Sequence, residues 1–115
     1  MNWQILFHDD FLPELNKFSQ EVQDELLAIA NRLKEKGPQL KRPFVDTLKG
    51  SKYKNMKEIR FNADDGVWRV AFGFDPQRNA ILLLGGDKSG ISQKLFYKTL
   101  IKKADSRYQQ YLNKL

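Results

Sequence analysis

The chain has 115 residues and no cysteine, with 41% hydrophobic and 30% charged residues. This is one domain's worth of ordinary globular composition, and it excludes disulfides, thiolate metal sites and cysteine nucleophiles. Its net charge of +6 is unevenly spread: residues 1–36 hold four Lys/Arg against seven Asp/Glu, a net of −3, and residues 37–115 hold sixteen against seven, a net of +9.

Residues 2–7 carry apolar Trp3, Ile5 and Phe7 at alternate positions, which predicts a strand. This beginning has no basic segment, long apolar stretch or small-residue cleavage site, so a cytoplasmic protein is expected. His8, the only histidine, is read as a surface or capping residue; one histidine makes neither a triad nor a metal site. Asp9 and Asp10 suit the start of a short helix over about 10–18. Ser19 can cap a second helix with Val22, Leu26, Ile29 and Leu33 on one face, and Gly37-Pro38 stops it. The two helices form an acidic hairpin.

Residues 38–55 read as irregular. From Met56 the pattern alternates, with Ile59 and Phe61 on one side and Glu58 and Arg60 on the other. Asn62-Ala63-Asp64-Asp65-Gly66 is a turn, and residues 67–74 form the next strand, with Trp68, Val70 and Phe72 on one face. A second turn over 75–79 leads to an apolar strand at 80–84, then to a loop over 85–90. Ser92 caps a last helix whose outer face carries Lys94, Lys98, Lys102 and Lys103. The expected architecture is α+β: one domain over residues 1–115, with a small curved antiparallel sheet packed against an N-terminal helical hairpin and a C-terminal helix.

Strand parity isolates a candidate site. If the 62–66 turn pairs Phe61 with Trp68, then Arg60 lies opposite Arg69 on the sheet face away from the aromatics. Facing arginines repel unless an anion joins them. A phosphate backbone is one such anion, and Glu58 or Asp87 could neutralise them instead. Lys54, Lys57 and Lys88 are expected at the rim of the same face. Self-cleavage of RNA by its 2′-OH needs charge stabilisation at phosphorus, which arginines and lysines supply, and proton transfer, open to a lysine of lowered pKa. No carboxylate or histidine pair stands out for acid–base work, which fits a weak site that relies on a larger machine to orient its substrate.

The segments Leu48-Lys49-Gly50, Met56-Lys57-Glu58-Ile59-Arg60-Phe61, Trp68-Arg69-Val70-Ala71-Phe72 and Leu83-Leu84-Gly85-Gly86-Asp87-Lys88-Ser89-Gly90, with Phe96-Tyr97 and Ala104-Asp105 in the last helix, are together similar to the RelE/ParE toxin superfamily. The resemblance is to its phage-derived Gp49-like, HigB-like branch, and it spans essentially the whole chain. It implies a RelE-like fold and the toxin of a type II toxin–antitoxin system, a ribosome-dependent mRNA endoribonuclease that inhibits translation without a cofactor. It also implies a HigA-like helix-turn-helix antitoxin through which operator DNA is bound. Position by position, Arg60 matches a basic site residue, Arg69 the arginine on the scissile phosphate, and Lys88 a basic residue after the last strand. Tyr97, or else Phe96, matches a base-stacking tyrosine. Lys54, Lys57 and Lys94 are assigned to RNA binding. Glu58 stands where some RelE enzymes are basic, and Gly85-Gly86-Asp87-Lys88 replaces a His/Lys-rich strand end. Two alternatives share the fold: a ParE-like inhibitor of DNA gyrase, and a non-toxic antitoxin-binding protein.

Overall fold

A computed structural model describes residues 2–115. The elements follow in the order β1 (Gln4–Phe7), α1 (Phe11–Asn16), α2 (Gln20–Lys36), a 3-10 turn (Gly37–Gln39), β2 (Val45–Thr47), β3 (Met56–Ala63), β4 (Gly66–Phe74), β5 (Asn79–Asp87) and α3 (Gln93–Asn113). The strands form one sheet in the order β1-β5-β4-β3-β2. The β2–β5 portion is antiparallel, whereas β1 lies parallel to β5 at the opposite edge. Parallel pairing demands a long crossover, and everything from α1 to β4 supplies it.

The β3–β4 hairpin turns on Asp64 and Asp65 alone. Both take left-handed backbone conformations, with φ of 52° and 59°, as a two-residue hairpin matched to strand twist requires. Both strands therefore run further into the turn than their hydrophobic pattern indicated. Phe61 pairs with Trp68 and Arg60 with Arg69.

Helices cover both faces of the sheet. Val22, Leu26, Ile29 and Leu33 of α2 join Phe11 and Leu15 of α1 against Ile59, Phe61, Val70, Phe72 and Leu82. On the other face, Phe96, Leu100, Ala104 and Tyr108 of α3 pack on Met56, Ala71, Ile81, Leu83 and Leu84. The arginine face is thus half-roofed by α3 rather than fully open. A bulge between Ala71 and Phe72 in the β4–β5 register turns both Leu83 and Leu84 toward this second core, as an extra residue in one strand does.

Three expectations need correction. The 38–55 stretch contains β2, too short to show in a pattern. Residues 85–87, expected in a loop, continue β5; their glycines look like turn residues but pair with β4. His8 is buried rather than superficial: its Nδ1 accepts from the Asp10 backbone N–H at 3.0 Å, and its Nε2 lies 3.1 Å from Gln110 Oε1.

Beyond Leu82 no strand pairs with the outer edge of β5 among the described residues. Arg107 of α3 crosses this edge. Its guanidinium donates to the Leu83 carbonyl at 2.7 Å and to both carboxylate oxygens of Glu14 on α1, at 2.8 and 2.6 Å. A backbone acceptor at the edge is thereby satisfied, and the helices on opposite faces are clamped together.

Candidate functional site

The side of the sheet carrying α3 exposes a cleft of about 550 Å³ beside the first turns of that helix. Arg60 and Glu58 rise from β3, Lys88 follows β5, Lys94 and Tyr97 come from α3, and Arg42 and Lys49 from the segments flanking β2. Five cations and two carboxylates, Glu58 and Asp46, line this cleft. Its surface therefore favours an anion.

Glu58 organises the centre. It is only 4% exposed. Its Oε2 accepts from Arg60 Nη1 at 2.7 Å, and its Oε1 accepts from the Tyr97 hydroxyl at 2.8 Å. Arg69 Nε lies 3.9 Å from Glu58 Oε1 and donates to the Tyr97 hydroxyl at 3.2 Å. One carboxylate thus relieves the repulsion between two cross-strand arginines. Asp87 does not share this task. Its Oδ1 accepts from the backbone of Val67 at 3.0 Å and of Ser89 at 2.9 Å, and from the Ser89 hydroxyl at 2.6 Å. Burial raises the Asp87 carboxyl, but these bonds outweigh it and hold the group below its ordinary range. Asp87 so fixes the loop that presents Lys88, whose own N–H donates to Val67 O at 2.8 Å.

Gly86 has a steric role. It pairs with Arg69, and a Cβ there would stand 3.3 Å from the Phe96 ring. Without that side chain the first turn of α3 approaches the sheet, and Tyr97 reaches Glu58. The Ser92 hydroxyl caps this helix by accepting from Leu95 N at 3.1 Å, which fixes where the turn begins.

Lys88 Nζ lies 3.1 Å from Gln93 Oε1 and 5.8 Å from the Tyr97 ring centroid. Partial burial, and then the charges of Arg69 and Arg60, lower its pKa from the ordinary lysine value. Burial first, and then the bond to Glu58, raises the Tyr97 hydroxyl. A lysine of lowered pKa and a phenol of raised pKa therefore stand side by side.

The structure brings together Arg60, Lys88, Lys94 and Tyr97. Arg69 lies behind them, 6% exposed, and reaches a neighbouring cleft of about 480 Å³ that it shares with Arg60, Phe61 and Asn62 of the hairpin and Arg32 of α2. Lys57 and Lys54 do not join this group. Lys57 alternates with Glu58 and so faces the hairpin side, where it donates to Thr47 Oγ1 at 3.0 Å and lines a separate cleft with Pro38 and Phe74. Lys54 is exposed in the turn before β3, at the far end of the strand from Arg60. Lys49 and Arg42 join the cleft with no mark in the sequence to place them there. Their place depends on the fold of the 40–55 segment, for which the sequence carries no periodic signal.

Comparison with known proteins gives a consistent picture. Residues 13–109 match the model of the family described as Phage derived protein Gp49-like. The chain is 39% identical over 99 residues to the candidate toxin HigB2 of Mycobacterium tuberculosis (strain ATCC 25618 / H37Rv), an alignment covering 85% of this chain and 49% of that protein. It therefore spans about half the length of that relative. It is 38% identical over 105 residues to the candidate toxin HigB3 of the same strain, covering 88% of this chain and 90% of the other. Among solved structures, a free mutant of E. coli toxin RelE superposes with a TM-score of 0.65 at 13% identity, over 90% of this chain and 97% of that one. The archaeal RelE–RelB complex from Pyrococcus horikoshii OT3 gives 0.56 at 17%, over 78% and 99%. At these identities the likeness to both structures is one of fold.

Proposed function

The chain belongs to the phage-derived Gp49-like family, in the HigB-like branch of the RelE/ParE superfamily, and from this membership and its cationic cleft we propose that it is a type II toxin acting as a ribosome-dependent mRNA endoribonuclease. The proposed toxin unit is residues 1–115, acting in the cytoplasm, and its partner is an antitoxin of the HigA-like, helix-turn-helix kind that carries the pair to operator DNA. The observation carrying the reading is the buried Glu58 carboxylate bonded to Arg60 and Tyr97, with Arg69 behind them and Lys88 beside the Tyr97 ring, at the open end of the sheet.

In the reaction, a ribose 2′-OH attacks the adjacent phosphorus, the 5′ oxygen leaves, and the products are a 2′,3′-cyclic phosphate and a 5′-hydroxyl end. Arg60 stabilises the charge on the phosphorane oxygens from the cleft, and Arg69 adds positive charge from behind it. Their planar forks suit this task, and Glu58 holds them ready. Lys88, with its lowered pKa, protonates the leaving oxygen. Tyr97 offers its ring to a base, and Lys94 attracts the flanking backbone. No side chain here is aligned as a base for the 2′-OH, so its proton passes to water as the O–P bond forms, and the ribosome's orientation of the message supplies the rest of the catalysis.

The test is induced expression in a growing bacterium, followed by mapping of transcript 5′ ends and assay of DNA breakage. Growth arrest with new ends inside reading frames is expected. Arrest with DNA breaks and intact messages would instead mark a gyrase inhibitor, and no arrest a non-toxic antitoxin-binding protein.

A further inference from the structure

One cationic surface lies outside the cleft. Lys94, Lys98 and Lys102 recur every fourth residue on α3, and all three are exposed. They form a row about 12 Å long, since eight residues rise about 1.5 Å each. Like charges at this spacing weaken a helix. No acidic side chain neutralises them among the described residues. Asp105, which shares their side of the helix, is committed elsewhere: its Oδ1 accepts from the Ser51 hydroxyl at 2.5 Å and its Oδ2 from the Lys52 backbone N–H at 3.1 Å.

That same contact gives the row a second wall. Gly50, at φ 100°, brings the 48–52 loop so close to α3 that a Cβ there would stand 3.3 Å from Ile101 Cδ1. The loop is thus held against α3 by Asp105 and Ile101. It carries Lys49, which lines the cleft beside Lys94, and exposed Lys52. Lysines therefore stand on both sides of a path that starts at the cleft and runs along α3.

Resting on the endoribonuclease reading, we propose that single-stranded RNA leaves the cleft along this path, with Lys49, Lys94, Lys98 and Lys102 binding the phosphates that flank the reacting one. The path has lysines but no aromatic side chain pointing from its α3 row, so it binds backbone rather than bases. It adds affinity for longer RNA without base preference.

The test is fluorescence anisotropy of labelled oligouridylates of increasing length, at several salt concentrations. It uses the wild type, Lys98→Ala/Lys102→Ala, and Lys17→Ala/Lys34→Ala as a control on the helical hairpin. The replaced side chains are exposed, so all three proteins fold. Wild type and control are expected to bind more tightly as the RNA lengthens. The α3 double variant should lose most of that gain, and the slope of log affinity against log salt should shrink by about 1.4, at about 0.7 per phosphate contact in single strands. An α3 variant that binds like the wild type, equal losses in both double variants, or competition by polyglutamate as effective as by RNA would each overturn the path. Cleavage in a translating extract is scored separately: if the wild type cleaves while the binding pattern fails, the path alone is wrong, and if binding holds without cleavage, the enzymatic reading is wrong.

Discussion

Arg60 faces Arg69 directly across the β3–β4 ladder, and both lean on the buried carboxylate of Glu58. Removing that charge leaves two guanidinium groups on facing positions with no carboxylate to neutralise them. Glu58→Gln is expected to lower stability by about 3 kcal/mol, the usual cost of stripping one partner from a buried ionic group. Denaturant unfolding checks this, and added phosphate should restore part of the loss by supplying the negative charge that the two arginines then lack. A variant as stable as the wild type, indifferent to phosphate, would show that Glu58 does not hold the pair.

Lys88 provides the proton in the proposed reaction. Lys88→Ala is expected to slow single-turnover cleavage by about 10²–10⁴-fold, the range of general acid catalysis. Because burial and the neighbouring arginines lower its pKa, the wild-type rate should fall on an alkaline limb below the ordinary lysine value of 10.5. Lys88→Arg should retain RNA binding and lose that limb. An unchanged limb in Lys88→Arg would assign it to another group.

The clamp over the β5 edge makes stability depend on acid. The hydrogen bond from Arg107, outweighing burial, holds the Glu14 carboxyl below its ordinary value of 4.5. A carboxyl lowered on folding stabilises the protein above its unfolded value and loses that contribution as pH falls through the folded one. Thermal unfolding midpoints should therefore drop below about pH 4.5 in the wild type, and drop less steeply in Glu14→Gln. Arg107→Ala should cost about 1–3 kcal/mol near neutrality, since it leaves the Leu83 carbonyl without its donor. Parallel acid profiles in wild type and Glu14→Gln would remove the clamp from the account.

An opposite dependence is expected in alkali. Burial, and then the bond to Asp75 at 2.6 Å, push the Tyr111 hydroxyl up to about 12 from 10.0. A group raised on folding stabilises below its unfolded value, and that contribution is lost as pH rises through the folded one. Between about pH 10 and 12 the wild type should lose stability faster than Tyr111→Phe. Tyrosinate absorbance should show a late-titrating fraction, to which Tyr97 and Tyr108 also contribute, that shrinks by one residue in Tyr111→Phe; an undiminished late fraction would contradict the assignment.

Legibility in the sequence tracked the range of the interaction. The Asp64-Asp65-Gly66 turn and the alternation on either side sufficed for the Arg60–Arg69 pairing, because a hairpin register is a local matter. The same parity could have kept Lys57 off the arginine face, since it alternates with Glu58 and Arg60. Gly85 and Gly86 misled because glycine marks both turns and close approach, and only the packing of Phe96 distinguishes them. The placement of α3 on the face opposite the hairpin is a tertiary choice with no local signature. Through it Tyr97 meets Glu58, although the two are 39 positions apart.

The central claim is most directly tested by mapping the 5′ ends of a defined mRNA in a purified translating extract, with and without ribosomes, using wild type and Arg69→Ala. Circular dichroism establishes that the variant is folded. New ends that require both ribosomes and Arg69 are the expected result. Equal cleavage by a folded Arg69→Ala protein would contradict the assignment of the site, and undisturbed messages with the wild type would contradict the enzyme itself.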